Sequence, residues 1–577
     1  MKSHILELLQ TGLKPLISDN KSIQINITAC KNKQHGDYAS NIAMQISGKL
    51  KQSPRVLAQQ IIANLPQSQH IEKTQIAGPG FINFYLKAAS QVDIIRTILT
   101  EKHFFGCRVS SKPKKIILEY VSANPTGPLH VGHGRGAAYG DSLANLLRSQ
   151  GQRVQTEYYI NDAGRQMDIL AVSVWLRYLS LIDKTATHFP KSGYRGDYIW
   201  DLAADLHRNN KDDFFITSAD LLDNVCLDTD EDQEQHIDQL ILKAKSFLKN
   251  NYSLIFQLAL DVITENIKND LSQFRVEYDS WFSERSLSEK IEPTISLLEK
   301  NHFVYLQNNS KWFKSTSFGD EKDRVLQRSN GLNTYFASDI CYHQNKIERN
   351  YDMLINIWGA DHHGYITRVK AGMSALGFDA DRLKILLVQF ANLFHSGVPV
   401  QMSTRSGSFV TLAELYREVG VDAARFFYVE RKPEQHLDFD LDLAKAQNSD
   451  NPVYYIQYAH ARVFQVLKKL ADNNLEFNQQ QGLQNLDLLT LDYEISIIRK
   501  LNQYPEMLKD AAMQFAPHKI PLYLSKLAQD FHGFYNSQKF IVQDDKLRDA
   551  RICLITAVAQ TIANGLKIIG VAAPKKM

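Results

Sequence analysis

The run from Lys115 to Gly136, KIILEYVSANPTGPLHVGHGRG, constrains the fold of this chain more than any other stretch. KIILEYVS is short, apolar and rich in β-branched residues, which predicts a buried strand. ANPTGPLH is turn-forming, and a helical pattern follows from about Gly132 to Ser149. Strand, tight turn and helix make half of a βαβ unit. The pattern returns at Asp352 to Trp358, with a helix near Ile366 to Leu376, and a further strand is expected at Leu383 to Phe390. Such alternation belongs to an open parallel sheet that holds its ligands at the carboxyl ends of the strands.

At 577 residues the chain has room for more than that sheet, because a domain takes ~150 residues. Residues 1–110 mix helical stretches (Ile5 to Leu13, Ser53 to Leu65, Val92 to Leu99) with strand-like runs at Ser22 to Ile27 and Phe81 to Leu86. They predict a small α+β domain, joined through the linker-like SSKPKK (Ser110 to Lys115) to a parallel-sheet domain over 111–445. An acidic, helical insertion around 184–300 interrupts the alternation. Over 446–577 strand signals fade, and Leu554, Val558, Ile562 and Leu566 recur every four residues, predicting an all-helical domain.

The net charge of +3 is too small to name a partner, but its distribution is uneven. Residues 1–110 carry 13 basic and 6 acidic side chains, residues 201–250 carry 5 and 12, and residues 451–577 carry 15 and 11. Clustered cations at both ends suit a polyanion. The 5 cysteines form no C-x-x-C pair, which excludes a zinc ribbon or a disulfide framework and fits a reducing compartment. No signal-peptide core or membrane span is encoded, so a cytoplasmic protein without a membrane partner is expected.

His130 and His133 sit three apart around Gly132 at the predicted helix start. There the two imidazoles share a face beside free backbone N–H groups and the positive end of the helix dipole. Gly132 leaves room for a flat group such as a nucleobase to approach the backbone. This arrangement suits a nucleotide triphosphate. Two histidines on one helical face can also ligate a metal, but no H-E-x-x-H supplies a third ligand; only Asp361, His362 and His363 could offer one from a distance. A pair of surface histidines without a ligand is the third possibility.

H-V-G-H after S-A-N-P resembles the first signature of the class I aminoacyl-tRNA synthetases, and the surrounding blocks resemble the arginyl-tRNA synthetases. Those blocks include HGDYASNIAM, PGFINFYL, EYYINDAGRQ, GYRGDYI, DRVLQRSNGLNTYFASDICYH, IWGADHHGYITRVKAG, MSTRSGSFVTL, NPVYYIQYAHAR and the closing GVAAPKKM, in one order across nearly the whole chain. The resemblance implies an α/β enzyme with a Rossmann-type catalytic domain and its helical insertion, a preceding α+β domain for the tRNA elbow, and a following α-helical anticodon-binding domain. It implies ATP-dependent activation of L-arginine to arginyl-adenylate and transfer to the terminal ribose of tRNA(Arg), with Mg²⁺ accompanying ATP, no zinc, and a monomeric chain. His130 and His133 would donate to triphosphate oxygens, with Gly132, Gly359, His362 and Met402 also at ATP. Glu119, Asn124, Tyr335, Asp339 and Asp361 would hold arginine, whose guanidinium calls for carboxylates. Phe81 and Asn83 would meet a D-loop base, and Tyr454, Tyr458 and Arg462 the anticodon.

The sequence departs from the family pattern at the second signature, where Gln401, Met402, Ser403, Thr404 and Arg405 replace a segment that normally carries two lysines. Arg405 is the expected cation there, with Ser403 and Thr404 as phosphate hydrogen bonders; Arg135 is a second candidate. The basic residues of the ITRVKAG helix are expected near the acceptor end. Two other readings remain open at this point: a different nucleotidyl-transferring enzyme that shares H-x-G-H, and a synthetase-derived RNA-binding protein that has lost catalysis.

Overall fold

The computed structural model describes residues 1–17, 23–30, 33–183, 189–400 and 410–577. Its centre is a five-stranded parallel sheet made of Lys115–Glu119, Arg153–Ile160, Ser280–Ser283, Met353–Gly359 and Leu383–Val388. From the first strand the chain builds outward in one direction through the second and third, then returns to the first strand's other side for the fourth and fifth. The crevice where the order reverses, between Lys115–Glu119 and Met353–Gly359, is where such sheets bind ligands. Ile116, Ile117, Leu118, Leu354 and Ile355 are buried, as expected of strands covered on both faces.

The helical insertion expected around 184–300 is interrupted by a strand, Ser280–Ser283, which pairs in parallel with the second strand. Its Trp281 and Phe282 stack on Tyr158 and Tyr159 of that neighbour, so aromatic cross-strand contacts override the helical setting. The insertion is helical from Arg165–Ile182 to Asn251–Gln273. A small antiparallel sheet of Val304–Gln307, Ser310–Phe313 and Arg324–Gln327 follows, unannounced by the periodicity.

The N-terminal residues form a four-stranded antiparallel sheet packed by helices Lys2–Leu13, Ile42–Leu50 and Pro54–Ala63, with a core of its own around Ile5, Ile42, Ile61 and Phe84. The strand expected at Ser22 to Ile27 lies instead at Ile27–Ala29, and Ser22 falls outside the described residues. The C-terminal residues are helical from Pro452–Asp472 to Asp545–Ile568. The four-residue repeat understates the last helix: Ala557, Thr561 and Gly565, off the stripe, are buried as well, because this helix runs through the middle of the bundle.

One buried side chain ties three regions together. Arg425 forms an ion pair with Asp141 of the Val131–Ser149 helix. It also donates to the carbonyls of Ile569 (3.0 Å), Phe274 (2.9 Å) and Arg275 (3.0 Å). Gly570 has φ +69°, and a Cβ there would run into the guanidinium. The closing segment is held further by Gln457 Nε2 to Ala572 O at 2.9 Å and His460 Nδ1 to Pro574 O at 2.8 Å. Among the described residues no helix is long and apolar enough to cross a membrane.

Candidate active site

The carboxyl ends of the central strands open into a cleft of about 520 Å³ whose lining includes Asn124, His130, His133, Tyr335, Gly359 and Asp361. The backbone entering it is strained. Val121 and Ser122 have φ of +66° and +45°, a region a β-branched residue avoids and that costs ~1–3 kcal/mol. The loop is held by Ser122 Oγ, which donates to Glu119 Oε1 at 3.0 Å and accepts from Tyr159 N at 3.1 Å.

His130 is the N-cap of the Val131–Ser149 helix. Its Nδ1 accepts from the Gly132 N–H at 3.1 Å, and its own backbone N–H donates to His133 Nδ1 at 3.3 Å. The rings stack with centroids 3.7 Å apart. With each Nδ1 accepting, the neutral rings carry their proton on Nε2, which becomes the donor. Burial lowers both pKa values, that of His133 to about 3 with a further push from His130, so neither ring carries charge near pH 7. A Cβ on Gly132 would stand 2.9 Å from His130 Cε1, so the glycine makes room for this ring as well as for a ligand.

Beside the cleft, behind Ser122 and Tyr335 of its lining, lies a group of carboxylates. Glu119, in register between Glu157 and Asn356, is paired with the fully buried Lys346. Lys346 also donates to Asn356 Oδ1 at 3.0 Å. Asn356 in turn donates to His343 Nε2 at 3.0 Å, and His343 Nδ1 bonds the Asp339 carbonyl at 2.7 Å. Asp339 accepts from the Tyr365 hydroxyl. Burial pushes Asp339 up to about 7 against that donor, and Glu119 and Glu284 repel its charge. Burial likewise brings Glu284 to about 7. Lys346 offsets the burial of Asp339 only in part, and a guanidinium is a group whose paired donors fit such carboxyls.

Tyr335 begins the Tyr335–Glu348 helix one turn before Asp339 and is 52% exposed on the cleft. Asn124 donates to Gln166 Oε1 at 2.5 Å on the opposite wall. Gly359, Asp361 and His362 line the cleft beyond the fourth strand, with His362 Nε2 3.5 Å from Asp361 Oδ2. His363 is exposed and does not line it. Among the described residues no group of three His, Cys, Asp or Glu could hold a metal ion.

Comparison with known proteins decides the family. The model of the arginyl tRNA synthetase N-terminal domain matches residues 3–86, that of the class I (R) catalytic domain residues 94–190 and 203–463, and that of the DALR anticodon binding domain residues 456–577. The chain belongs to the class I arginyl-tRNA synthetases. The arginine–tRNA ligase of Thioalkalivibrio sulfidiphilus is 50% identical, with 100% of both chains covered. That of Legionella pneumophila strain Paris is 47% identical over 100% of this chain and 98% of its own. A putative arginyl-tRNA synthetase structure from Campylobacter jejuni matches at TM-score 0.73 and 36% identity, covering 84% of this chain and 99% of that one. The Thermus thermophilus arginyl-tRNA synthetase shares the fold at TM-score 0.74 and 20% identity over 100% of both chains. Members of this family are ligases that use ATP to charge tRNA with arginine, and this chain is one of them.

Several expectations for this arginyl-tRNA synthetase meet a different geometry. Arg135 is no reserve cation: it is buried and donates to the carbonyls of Gln389, Gln435 and Lys432 at 2.7, 2.8 and 3.0 Å. Met402, Ser403, Thr404 and Arg405 lie outside the described residues. Phe81 is 39% exposed at the start of its strand, but Asn83, on the same face, is buried beneath its neighbours and is not presented to solvent. Tyr454, Tyr458 and Arg462 do come together: the rings stack at 5.9 Å, and the Arg462 guanidinium lies 4.4 Å over Tyr458 and 4.5 Å over Tyr535. Sequence reasoning missed Glu284, Lys346 and Tyr365. No local motif marks them, and they reach the site only through tertiary packing.

Proposed function

We propose that the cleft activates and transfers arginine through a division of labour between its two ends. Asp339 and Glu284 take the substrate guanidinium, with Glu119 held beside them by Lys346 and Tyr335 covering the opening. Asn124 and Asp361 meet the remainder of the amino acid. His130 and His133 donate through Nε2 to triphosphate oxygens, and Gly132, Gly359, His362 and Met402 border the nucleotide. No protein nucleophile is needed. The arginine carboxylate attacks the α-phosphorus, so catalysis consists of positioning and of stabilising phosphate charge. Arg405, with Ser403 and Thr404, is the cation of the second signature. Mg²⁺ enters on the phosphates as part of the substrate.

Phe81 on the N-terminal domain, with the buried Asn83 beneath it as support, and the Tyr454–Tyr458–Arg462 ladder, receive tRNA bases. We place the division between the three domains near residues 110 and 445, and take the chain as a monomer acting in the cytoplasm. The observation that carries this reading is a cleft lined by two neutral Nε2 donors and by Tyr335, with the buried carboxyls of Asp339 and Glu284 behind it. Charging of tRNA(Arg) with labelled arginine tests it, alongside ATP–pyrophosphate exchange with and without tRNA. No charging of any arginine tRNA would sink it.

A further inference from the structure

The signature at 401–405 carries one cation, Arg405, where the family pattern has two, and Arg135 is locked on backbone carbonyls. A second cavity, about 760 Å³, meets the first at Ala123, Asn124, His130 and His133. The first signature borders it together with Thr411, and the two are stitched together: His130 and Thr411 form a β-bridge, Val131 N donates to Val410 O at 3.2 Å, and Leu412 N to Leu129 O at 2.8 Å. A triphosphate held on His130 and His133 therefore borders this cavity.

The opposite wall is the 191–198 segment of the insertion, GYRGDY with its flanks. It is fixed to the first signature by Tyr198, whose hydroxyl donates to Thr126 O at 2.7 Å, and to the insertion by Tyr194 N, which donates to Ser173 Oγ at 2.9 Å. Most charges on this cavity are already matched. Lys191 pairs with Asp230 at 2.6 Å, Glu234 with Arg165 at 2.8 Å, and Glu414 caps Thr411. Arg195 is different. It is exposed, its guanidinium makes one long bond to Pro190 O at 3.3 Å, and no carboxylate of the described residues lies within ion-pair distance. Arg177 and Lys191 are near enough to feel its charge, and the carboxylate of Asp197 shares the same wall.

We propose that Arg195 is a catalytic residue of the activation step, supplying the second cation that the lysine-free signature lacks. As the arginine carboxylate oxygen bonds to the α-phosphorus, the bond from that phosphorus to the bridging oxygen breaks and its electron pair leaves with pyrophosphate. The Arg195 guanidinium binds the β- and γ-phosphates as this charge develops, where paired N–H donors match phosphate oxygens. The inference rests on the reading of the cleft given above.

Arg195→Ala, assayed with tRNA present, is expected to slow single-turnover adenylate formation about 100-fold. The KM for arginine should stay within about twofold, and inhibition by inorganic pyrophosphate should weaken about tenfold. Arg195→Lys, which keeps the charge, should recover most of the rate. Both variants should melt with the wild type, because the side chain holds one weak backbone bond. Unchanged adenylate formation and pyrophosphate inhibition in Arg195→Ala would overturn the assignment. So would a change confined to the KM for tRNA, which would put Arg195 on acceptor-strand phosphates. A wild-type enzyme that fails to activate arginine would count against the cleft reading itself, a separate result.

Discussion

Glu119, Glu284 and Asp339 feel one another's charge, and of the three Glu119 has the buried ammonium of Lys346 beside it. The other two titrate near 7 in the unliganded site. A carboxyl whose folded pKa lies above its ordinary value of about 4 stabilises the fold below that value, and the contribution fades as pH rises through the folded pKa. At pH 8 the empty pocket is therefore under electrostatic load. Asp339→Asn should raise the melting temperature at pH 8 by roughly 2 °C, leave it unchanged at pH 4.5, and abolish arginine binding; calorimetry with and without arginine checks all three. In the wild type, arginine must displace a proton at low pH. Its affinity should fall about tenfold between pH 8 and 6 for each carboxyl that gives up a proton to it, and a flat titration over that range would remove both Asp339 and Glu284 as partners.

At the scale of elements, the helix start at His130 depends on a missing side chain. Gly132→Ala brings a methyl against the His130 ring and should slow adenylate formation at least about tenfold, with the KM for arginine little changed; single-turnover kinetics separates the two. The first and fourth strands were legible because burial on both faces writes continuous apolar runs, and the half-buried fifth, at the sheet edge, because its LKILLV run is largely apolar as well. Arg153–Ile160 and Ser280–Ser283 were not, since they carry polar groups that satisfy one another only once paired: Ser280 Oγ donates to Glu157 Oε2 at 2.7 Å, and Arg349 Nη1 reaches the same oxygen at 2.6 Å. His130 and His133 could be read from a motif. Glu284 and Lys346 could not, because their partners are distant in sequence. On the first C-terminal helix the i, i+4, i+8 spacing did reveal the Tyr454–Tyr458–Arg462 face. Arg462→Ala should raise the KM for tRNA about tenfold and leave tRNA melting-independent properties such as arginine affinity intact.

Across the whole molecule, the small net charge is a balance between basic ends and an acidic insertion, so the KM for tRNA should climb with salt while that for arginine moves less. The insertion is not only a counterweight, since it contributes a wall of the cavity that His130 and His133 also line. The Arg425 junction joins sheet domain, insertion and C-terminal helices. Arg425→Met leaves Asp141 buried without its cation and should cost about 3–5 kcal/mol in denaturant unfolding; adding Asp141→Leu should return much of that loss. The carbonyl of Ile569 that this guanidinium bonds belongs to the last nine residues of the 577. Synthesis runs from the N-terminus and domains fold as they emerge, so the helix bearing His133 is made long before the residues that finish its support. The nascent chain therefore holds the Arg425–Asp141 pair without its last carbonyl partner until Ile569 has been made, so the support of this helix is completed late in synthesis.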